Sequence, residues 1–508
     1  MKIVEIMELL NKVEERFPVD QWMIDGIHIW PLIRLDLAGV ITNYYMFPGF
    51  YYKNNNSSLM SKILREMKMN LHFVSAYFKD FRNNVRAKKA DVVFLSDGIS
   101  FSYLIDSWYE KFCDPFINKC RRNGVSCFLM TPLNEYFIPR HTPSMFIQPY
   151  LDIIRVKNLF DSNNYDFGEE RLTDFENFVH FAEYKNLSKF LPDMKRIKRE
   201  LTMIKKYEEF YRGILKRVKP QVAFLVSYYN LEGMAFNATC RKLGIPSVDI
   251  QHGLQGDLHW AYGRWNNVPE TGYELLPRFF WVWSDLEAEA IKGWSSRVSE
   301  WHRPIVGGNL FLDLWRSSEN EIVKYYDKKI EKAKRGREYL IHILYTVGYE
   351  EVEKLEIIFE VVRRTESLCY WWLRVHPGKL KERFLFKKLV RENRILNGEV
   401  DLATDLPLYA LLREMDLHLT FYSSSVFEAK DLGVPSVVVG DYAKELFSDQ
   451  ISTGWALPAD TPEEIISGIK TQFHKREEFK KARAERDEAK AGEKADVIGF
   501  MREAGIAV

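Results

Sequence analysis

The sequence Val248-Asp249-Ile250-Gln251-His252-Gly253 decides the fold class. This short apolar run ends in a histidine and a glycine. The residues just before it, Arg241-Lys242-Leu243-Gly244-Ile245-Pro246, have the glycine and proline that are typical of a helix end followed by a new strand. We therefore expect His252 at the point where a buried strand gives way to a loop. In open α/β sheets, ligands bind at this carboxyl edge.

Similar apolar runs recur along the chain and alternate with helical patterns, which predicts βαβ units and parallel sheets. The strands expected in a first half are residues 92–95, 126–130, 222–226, 279–284 and 304–309. Those expected in a second half are residues 340–344, 370–375, 417–420 and 436–439. The predicted fold class is α/β, with two Rossmann-like domains that face a cleft and a helical N-terminal extension.

The chain has 508 residues, which is too long for one ordinary core. We expect a helical extension over residues 1–90, a first Rossmann-like domain over 91–315 and a linker helix over 316–335. A second Rossmann-like domain is expected over 336–473, followed by a charged C-terminal helix over 474–508.

Composition excludes several classes of protein. The net charge of +1 gives no global argument for binding nucleic acid. Five scattered cysteines favour reduced thiols in a cytosol-like compartment over a disulfide framework. We expect neither a secretory signal nor a membrane span. The basic, amphipathic segment 62–89 suits either an anionic membrane surface or a helix on its own domain with a solvated basic face.

Several chemistries lack their sequence patterns. No glycine-rich dinucleotide motif or P-loop follows a strand, which argues against a nicotinamide enzyme and a P-loop NTPase. No Asp-x-Asp motif occurs, so glycosyl transfer with a carboxylate-held metal is disfavoured. The histidines lack the spacing of a zinc site. We therefore expect no metal and no cofactor.

A second group of residues suits a nucleotide phosphate. Ser423, Ser424 and Ser425 follow a predicted strand and open a helix, which indicates an anion site, although one serine would suffice as a simple N-cap. Glu428 lies one turn later, where it could accept ribose hydroxyls or be ordinary first-turn charge. His376 could donate to a phosphate oxygen from a loop that the following proline makes rigid, with Arg374 in support.

Three residues are candidates for a general base. His252 could take a proton from an acceptor hydroxyl, since the reference pKa of histidine suits work near neutrality, or it could be a structural hydrogen-bonding group. Glu232 opens the preceding helix and Asp97 follows the first strand. These carboxylates are rival bases for a direct displacement at an anomeric carbon.

Four motifs carry a resemblance over about residues 90–470, namely Gln251-His252-Gly253, Gly307-Gly308-Asn309, Arg374-Val375-His376-Pro377, and Ser423 to Ala429 with Gly433-Val434-Pro435. Together they resemble the two-Rossmann (GT-B) glycosyltransferases of bacterial surface polysaccharides. They are similar to the capsule and lipopolysaccharide transferases that use CMP-activated acidic sugars such as Kdo and sialic acid. They are also similar to the teichoic-acid transferases that use CDP-glycerol.

This resemblance implies roles for individual residues. His376 and the three serines would contact the donor phosphate, and Glu428 the ribose. The other residues on the donor side would be Arg374, Pro377, Gly308 and Asn309. The acceptor would lie beside Asp97, Glu232 and His252. The base is usually a carboxylate in the sialyl- and Kdo-type enzymes and more often a histidine in the polyol-phosphate enzymes, and this chain carries both kinds.

The resemblance also implies a function. We expect a metal-independent, inverting glycosyltransferase that moves a sugar to a glycan or lipid-linked glycan acceptor. The favoured donor is a CMP-activated acidic sugar. It would act in the cytoplasm at the inner membrane face, with peripheral membrane contact and no nucleic acid partner. The alternatives are a CDP-polyol phosphotransferase, a non-hydrolysing UDP-sugar 2-epimerase and a non-catalytic GT-B assembly subunit.

Overall fold

The structure is a computed structural model. It describes residues 3–46, 86–132, 137–160, 167–185, 187, 189–253, 255–348, 352–490 and 495–505. The chain divides into two compact units. The first unit comprises Met1–Ser102, Asp106–Leu310 and Lys494–Val508, and the second comprises Tyr103–Ile105 and Phe311–Glu493.

The strands of the described residues are numbered along the chain. They are β1 (Met23–Ile24), β2 (Ile27–His28), β3 (Val92–Leu95), β4 (Phe101–Leu104), β5 (Ser107–Glu110), β6 (Cys127–Thr131), β7 (Met145–Phe146), β8 (Glu170–Arg171), β9 (Val222–Val226), β10 (Ser247–Ile250), β11 (Phe279–Val282), β12 (Arg303–Val306), β13 (Ile341–Val347), β14 (Cys369–Val375), β15 (Gly398–Glu399), β16 (Leu417–Thr420), β17 (Ser436–Val439) and β18 (Ala456–Ala459).

The helices are numbered in the same way. They are α1 (Ile3–Arg16), α2 (Trp30–Met46), α3 (Cys113–Arg122), α4 (Gln148–Phe160), α5 (Phe175–Tyr184), α6 (Met194–Val218), α7 (Leu231–Lys242), α8 (Asp285–Ser295), α9 (Leu310–Arg316), α10 (Glu321–Lys334), α11 (Val352–Arg364), α12 (Arg383–Glu392), α13 (Asp401–Asp405), α14 (Leu408–Glu414), α15 (Ser425–Asp431), α16 (Asp441–Leu446), α17 (Ser448–Ser452), α18 (Pro462–Lys490) and α19 (Val497–Glu503).

The first unit is built on a seven-stranded sheet in the order β12-β11-β10-β9-β3-β6-β7, and its paired strands run parallel. Alternate residues of one strand enter two different apolar cores: Val93 and Leu95 face one, and Val92 and Phe94 face the other. Both faces of the sheet are therefore covered, which explains why its strands are continuous apolar runs in the sequence.

The chain order reverses between β3 and β9. From β3 the chain moves outward to β6 and β7, then returns to β9 on the other side of β3 and continues to β12. A reversal of this kind opens a crevice at the carboxyl ends of the two central strands, and ligands of open α/β sheets bind there.

The second unit repeats this design. Its six-stranded sheet has the order β15-β14-β13-β16-β17-β18, and its paired strands are parallel. Numbered within the unit, the order is 3-2-1-4-5-6, which is the Rossmann order, with its reversal between β13 and β16. The predicted α/β fold class with two Rossmann-like units is confirmed.

The described part of the N-terminal segment belongs to the first unit and differs from the separate extension expected over residues 1–90. The strand pair β1 and β2 joins β8 in a small antiparallel sheet. Trp22 and Trp30 are fully buried in the core that also covers the large sheet. The buried ion pair of Glu14 with Arg34 holds α1 against α2. Residues 62–85 of the predicted basic helix lie outside the described residues.

The C-terminal boundaries also differ from the expected ones. The charged helix expected to begin at residue 474 is the second half of α18, which begins at Pro462. The predicted linker helix is α10, and it lies within the second unit. Helix α19 returns to the first unit, where Phe500 packs against Phe279 and Trp281. Among the described residues, no helix is long and apolar enough to cross a membrane.

Candidate functional site

A polar cavity of about 170 Å³ lies at the carboxyl ends of β3 and β9, where the strand order of the first unit reverses. Its polar lining residues are Ser96, Asp97, Gln148, Arg155, Ser227, Asn230 and Glu232. Two of the three predicted bases therefore line one cavity at the sheet edge that the sequence indicated.

The carboxylate of Glu232 forms an ion pair with Arg155. The hydroxyl of Tyr207 also donates to Glu232 Oε1 at 3.3 Å, and Arg155 Nε donates to the oxygen of that hydroxyl at 3.0 Å. Arg155 Nη1 binds Asp152 at 2.8 Å. The Oε1 atom of Glu232 is therefore occupied by two groups of the protein itself.

Asp97 is bound within its own loop. Its Oδ1 accepts the backbone N–H groups of Ile99 and Ser100, each at 3.0 Å, and its Oδ2 accepts the hydroxyl of Ser100 at 2.5 Å. These three hydrogen bonds shape the turn after β3. Both oxygens of the Asp97 carboxylate are therefore occupied by groups of its own loop.

Close to Asp97, Glu110 is fully buried. Burial and the neighbouring charge of Asp97 raise the pKa of Glu110 to about 8. Its carboxyl group accepts the N–H groups of Phe112, at 2.9 Å, and Cys113. Glu110 therefore holds the first backbone N–H groups of α3 in place.

His252 lies just after β10 and is held on both sides of its ring. Nδ1 is 3.3 Å from the carbonyl oxygen of Ile250, and Nε2 is 3.0 Å from the hydroxyl of Tyr229. A carbonyl oxygen can only accept, so we assign the proton of the neutral ring to Nδ1. Nε2 then carries the lone pair and accepts the Tyr229 hydroxyl.

The surroundings of His252 keep its ring neutral. Burial lowers the pKa of His252, and the charge of Asp97 opposes this effect less strongly. The ring of Tyr229 stacks on that of His252, with centroids 5.7 Å apart. A neutral imidazole with a lone pair on Nε2 is the form that a general base requires.

His376 follows β14 directly and is a candidate site residue of the second unit. It is the N-cap of a short 3₁₀ helix, Pro377–Glu382, and its Nδ1 accepts the N–H of Gly378 at 3.0 Å. This bond places the proton of the neutral ring on Nε2, which is then the donor. Burial, together with the charges of Lys379 and Arg374, lowers the pKa of His376.

The three serines after β16 differ in what their side chains do. Ser425 is buried, and its hydroxyl is 3.0 Å from both Thr346 Oγ1 and His418 Nε2. It also lies 2.8 Å from the hydroxyl of Ser423. Ser424 is exposed. The predicted row of three hydroxyls toward an anion is thus reduced to Ser423 and Ser424, because Ser425 is turned into the interior.

Arg374 has a different role from the predicted support of a phosphate contact. Its Nη1 donates to the carbonyl oxygens of Ala403 at 2.7 Å and Thr404 at 3.2 Å, near the end of α13. Burial lowers the pKa of Arg374 to about 10. The guanidinium therefore braces α13 against β14, and we correct its assignment to a structural one.

The remaining predicted donor residues fall in both units. Pro377 opens the 3₁₀ helix, and Glu428 lies half-buried in α15. Gly308 and Asn309 follow β12 and belong to the first unit. The carbonyl of Gly308 accepts the indole N–H of Trp281 at 3.0 Å, which fixes the course of this loop.

The residues that hold these side chains in place were not predicted from the sequence. Tyr229 follows β9 at the same sheet edge as His252, and its position at a strand end was the available signal. Arg155 and His418 lie within a helix and a strand, where nothing in the local pattern distinguishes them. In the described part of the chain, no group of three or more His, Cys, Asp or Glu residues could hold a metal ion.

No family model and no curated protein matches the chain. Solved structures that are similar to it include a UDP-GlcNAc 2-epimerase from Methanocaldococcus jannaschii, at 14% identity over 75% of this chain and 91% of that one, with a TM-score of 0.44. A UDP-GlcNAc 2-epimerase from Neisseria meningitidis bound to UDP-GlcNAc is 15% identical over 77% and 93%, with a TM-score of 0.47. Anabaena HepE in complex with UDP and glucose is 10% identical over 82% and 98%, with a TM-score of 0.41.

Proposed function

We propose that the chain is a metal-independent glycosyltransferase that uses a nucleotide-activated sugar, with His252 as the general base. The observation that carries the proposal is the geometry of His252, a neutral imidazole at a sheet edge with Nε2 as its acceptor atom. Glu232 and Asp97 are each committed to partners of their own.

The proposed reaction is a direct displacement. The acceptor hydroxyl replaces the hydroxyl of Tyr229 as the hydrogen-bond partner of His252 Nε2. Nε2 then takes the proton of that acceptor hydroxyl. The acceptor oxygen forms a bond to the anomeric carbon while the bond from that carbon to the donor phosphate oxygen breaks. The nucleotide leaves with the electron pair, and the anomeric configuration inverts.

The second unit supplies the donor contacts in this proposal. The Nε2–H of His376 donates to a phosphate oxygen, and the hydroxyls of Ser423 and Ser424 add further donors. Glu428 accepts hydroxyls of the ribose. A CMP-activated acidic sugar is the favoured donor, on the motif resemblance described above, and a glycan or lipid-linked glycan at the cytoplasmic membrane face is the acceptor.

A thermal-unfolding screen identifies the donor. The full chain is heated with CMP, CDP, UDP and GDP and with their sugar conjugates, each with and without magnesium. A ligand at a hundred times its Kd adds about 2.7 kcal/mol to the stability of the folded state. We expect a cytidine nucleotide to raise the unfolding temperature with or without magnesium, and His376→Ala to abolish that rise. The exposed His474→Ala is the matched control and should keep it.

Each other outcome has a defined meaning. A rise with UDP or GDP alone would replace the acidic sugar by a neutral one. No rise with any nucleotide would contradict the proposal and favour a non-catalytic subunit. Incubation with UDP-N-acetylglucosamine and no acceptor tests the remaining alternative. A new C2 epimer in the NMR spectrum would identify an epimerase, the activity in the names of two similar structures.

A further inference from the structure

The segment that follows His376 exposes an unusual amount of apolar side chain. Leu380 in the 3₁₀ helix is 51% exposed, and Phe384 and Leu385 at the start of α12 are 72% and 58% exposed. Single exposed apolar residues are common on protein surfaces, but an adjacent Phe and Leu next to a further exposed Leu form a cluster.

These apolar side chains lie on a helix face that also carries cations. Phe384, Leu385, Lys388 and Arg391 of α12 are exposed, as is Lys381 in the preceding 3₁₀ helix. Lys381 and Lys388 lie three or four residues from both Phe384 and Leu385, and Arg391 lies three from Lys388, so the five share the outward face. We call these five residues the α12 surface. The opposite side of the helix is fixed, because Phe386 and Val390 are buried in the core of the second unit.

The charge of this segment is strongly positive although the whole chain is nearly neutral. Residues 377–396 contain seven Lys and Arg against two Glu, a net charge of +5, whereas the net charge of all 508 residues is +1. Arg383 and Lys387 form ion pairs with Asp401. These pairs join α12 to α13 of the same unit. On the exposed side, Lys388 also lies 3.6 Å from Glu392, so the cations Lys381, Lys388 and Arg391 outnumber this one carboxylate.

We propose that the α12 surface docks the protein on an anionic lipid membrane. Phe384 and Leu385 enter the boundary between headgroups and acyl chains, while Lys381, Lys388 and Arg391 contact lipid phosphates. A helix with this combination of apolar and cationic side chains lies in the plane of a membrane interface, and an anionic leaflet attracts it. The charge complementarity favours a lipid surface of negative charge as the occupant. The proposal does not depend on the glycosyltransferase activity.

Vesicle binding tests the proposal directly. The purified full chain is sedimented with phosphatidylcholine vesicles that contain either no anionic lipid or about 30% phosphatidylglycerol, enough to give a negative surface. We expect binding only to the anionic vesicles, and weaker binding at high salt because counterions screen the attraction. The paired substitution Phe384→Ser and Leu385→Ser should lower partitioning about tenfold or more. Lys388→Glu with Arg391→Glu should lower it about thirtyfold or more.

Matched controls separate this surface from the rest of the chain. Leu340→Ser with Leu286→Ser removes two side chains that are 64% and 73% exposed elsewhere and should leave binding unchanged. Lys216→Glu with Arg217→Glu reverses two exposed charges at the end of α6 and should have a much smaller effect than the α12 pair. Equal binding of the wild type and both α12 variants would overturn the proposal, as would equal binding to neutral and anionic vesicles.

A fluorescent label reports insertion at the residue itself. An environment-sensitive probe on Phe384→Cys should shift to shorter wavelength with anionic vesicles, and the same probe on Leu340→Cys should not. Four of the native cysteines are buried and Cys127 is half-buried, so the label reaches the new thiol first. An unshifted spectrum at position 384 while the protein sediments with the vesicles would show that another part of the chain binds them and would overturn the proposal.

Discussion

His252 differs from Glu232 and Asp97 in what its side chain is bonded to. Glu232 binds the guanidinium of Arg155, and Asp97 binds the backbone of its own turn. In His252, by contrast, the hydrogen bond to Nε2 comes from the hydroxyl of Tyr229. A substrate hydroxyl can replace that hydroxyl. The hydrogen-bond partners of the three side chains therefore favour His252 over the two carboxylates as the general base.

Replacing Tyr229 by Phe tests the assigned tautomer. The hydroxyl donates to the lone pair of Nε2 and so favours the neutral ring, and its removal should raise the pKa of His252. We expect the wild-type midpoint to lie below the reference value of about 6.5 and that of the variant to lie above the wild-type midpoint. An NMR titration of the His252 ring measures both. A variant midpoint equal to or below that of the wild type would show that Tyr229 does not donate to Nε2.

The loop after β12 depends on a glycine. A Cβ at Gly307 would lie 1.8 Å from Cζ2 of Trp281, whose own position is fixed by the bond to Gly308. Gly307→Ala should therefore destabilise the first unit by about 1–3 kcal/mol through overpacking. Chemical denaturation measures the change.

The control for that variant lies in α8. A Cβ at Gly293 would meet nothing within 4 Å, so Gly293→Ala should stabilise the helix by about 0.5–1 kcal/mol. Equal effects of the two substitutions would contradict the packing account of the loop.

The loop that leads into α15 is held by a buried hydroxyl network. His418 links Ser436, Thr346 and Ser425, with each contact at 3.0 Å. Ser425→Ala should cost about 1–3 kcal/mol because it leaves buried partners unsatisfied. Ser424→Ala, at an exposed position, should change stability by less than about 0.5 kcal/mol. Thermal unfolding distinguishes them, and a larger loss with Ser424→Ala would reverse the assigned roles.

At the scale of the whole molecule, the chain returns to its first unit after completing the second. Phe500 packs against Phe279 and Trp281 with ring centroids 5.2 and 6.1 Å away. Phe500→Ala should destabilise the first unit by about 3–5 kcal/mol. Hydrogen exchange should then speed up in β9, β10 and β11 while β13 and β14 remain protected. Faster exchange confined to the second unit would contradict this assignment of α19.

The two sheets could be predicted because parallel strands covered on both faces appear in the sequence as uninterrupted apolar runs. The roles of Arg374 and Ser425 could not, because each depends on partners far away in the sequence. Arg374 is bound to carbonyls of residues 403 and 404, and Ser425 to Thr346. The packing of Phe500 in the first unit could not be predicted either. The short apolar segment around it follows the long charged helix α18, and its partners Phe279 and Trp281 are far away in the sequence.

The turnover of two isosteric variants shows whether His252 is the base. With the donor found by the unfolding screen, wild type, His252→Gln and Glu232→Gln are compared at saturating donor and acceptor. We predict that His252→Gln lowers kcat about 10²–10⁴-fold with little change in the donor KM, while Glu232→Gln keeps most of the turnover. Full turnover in His252→Gln together with its loss in Glu232→Gln would show that Glu232, and not His252, is the base.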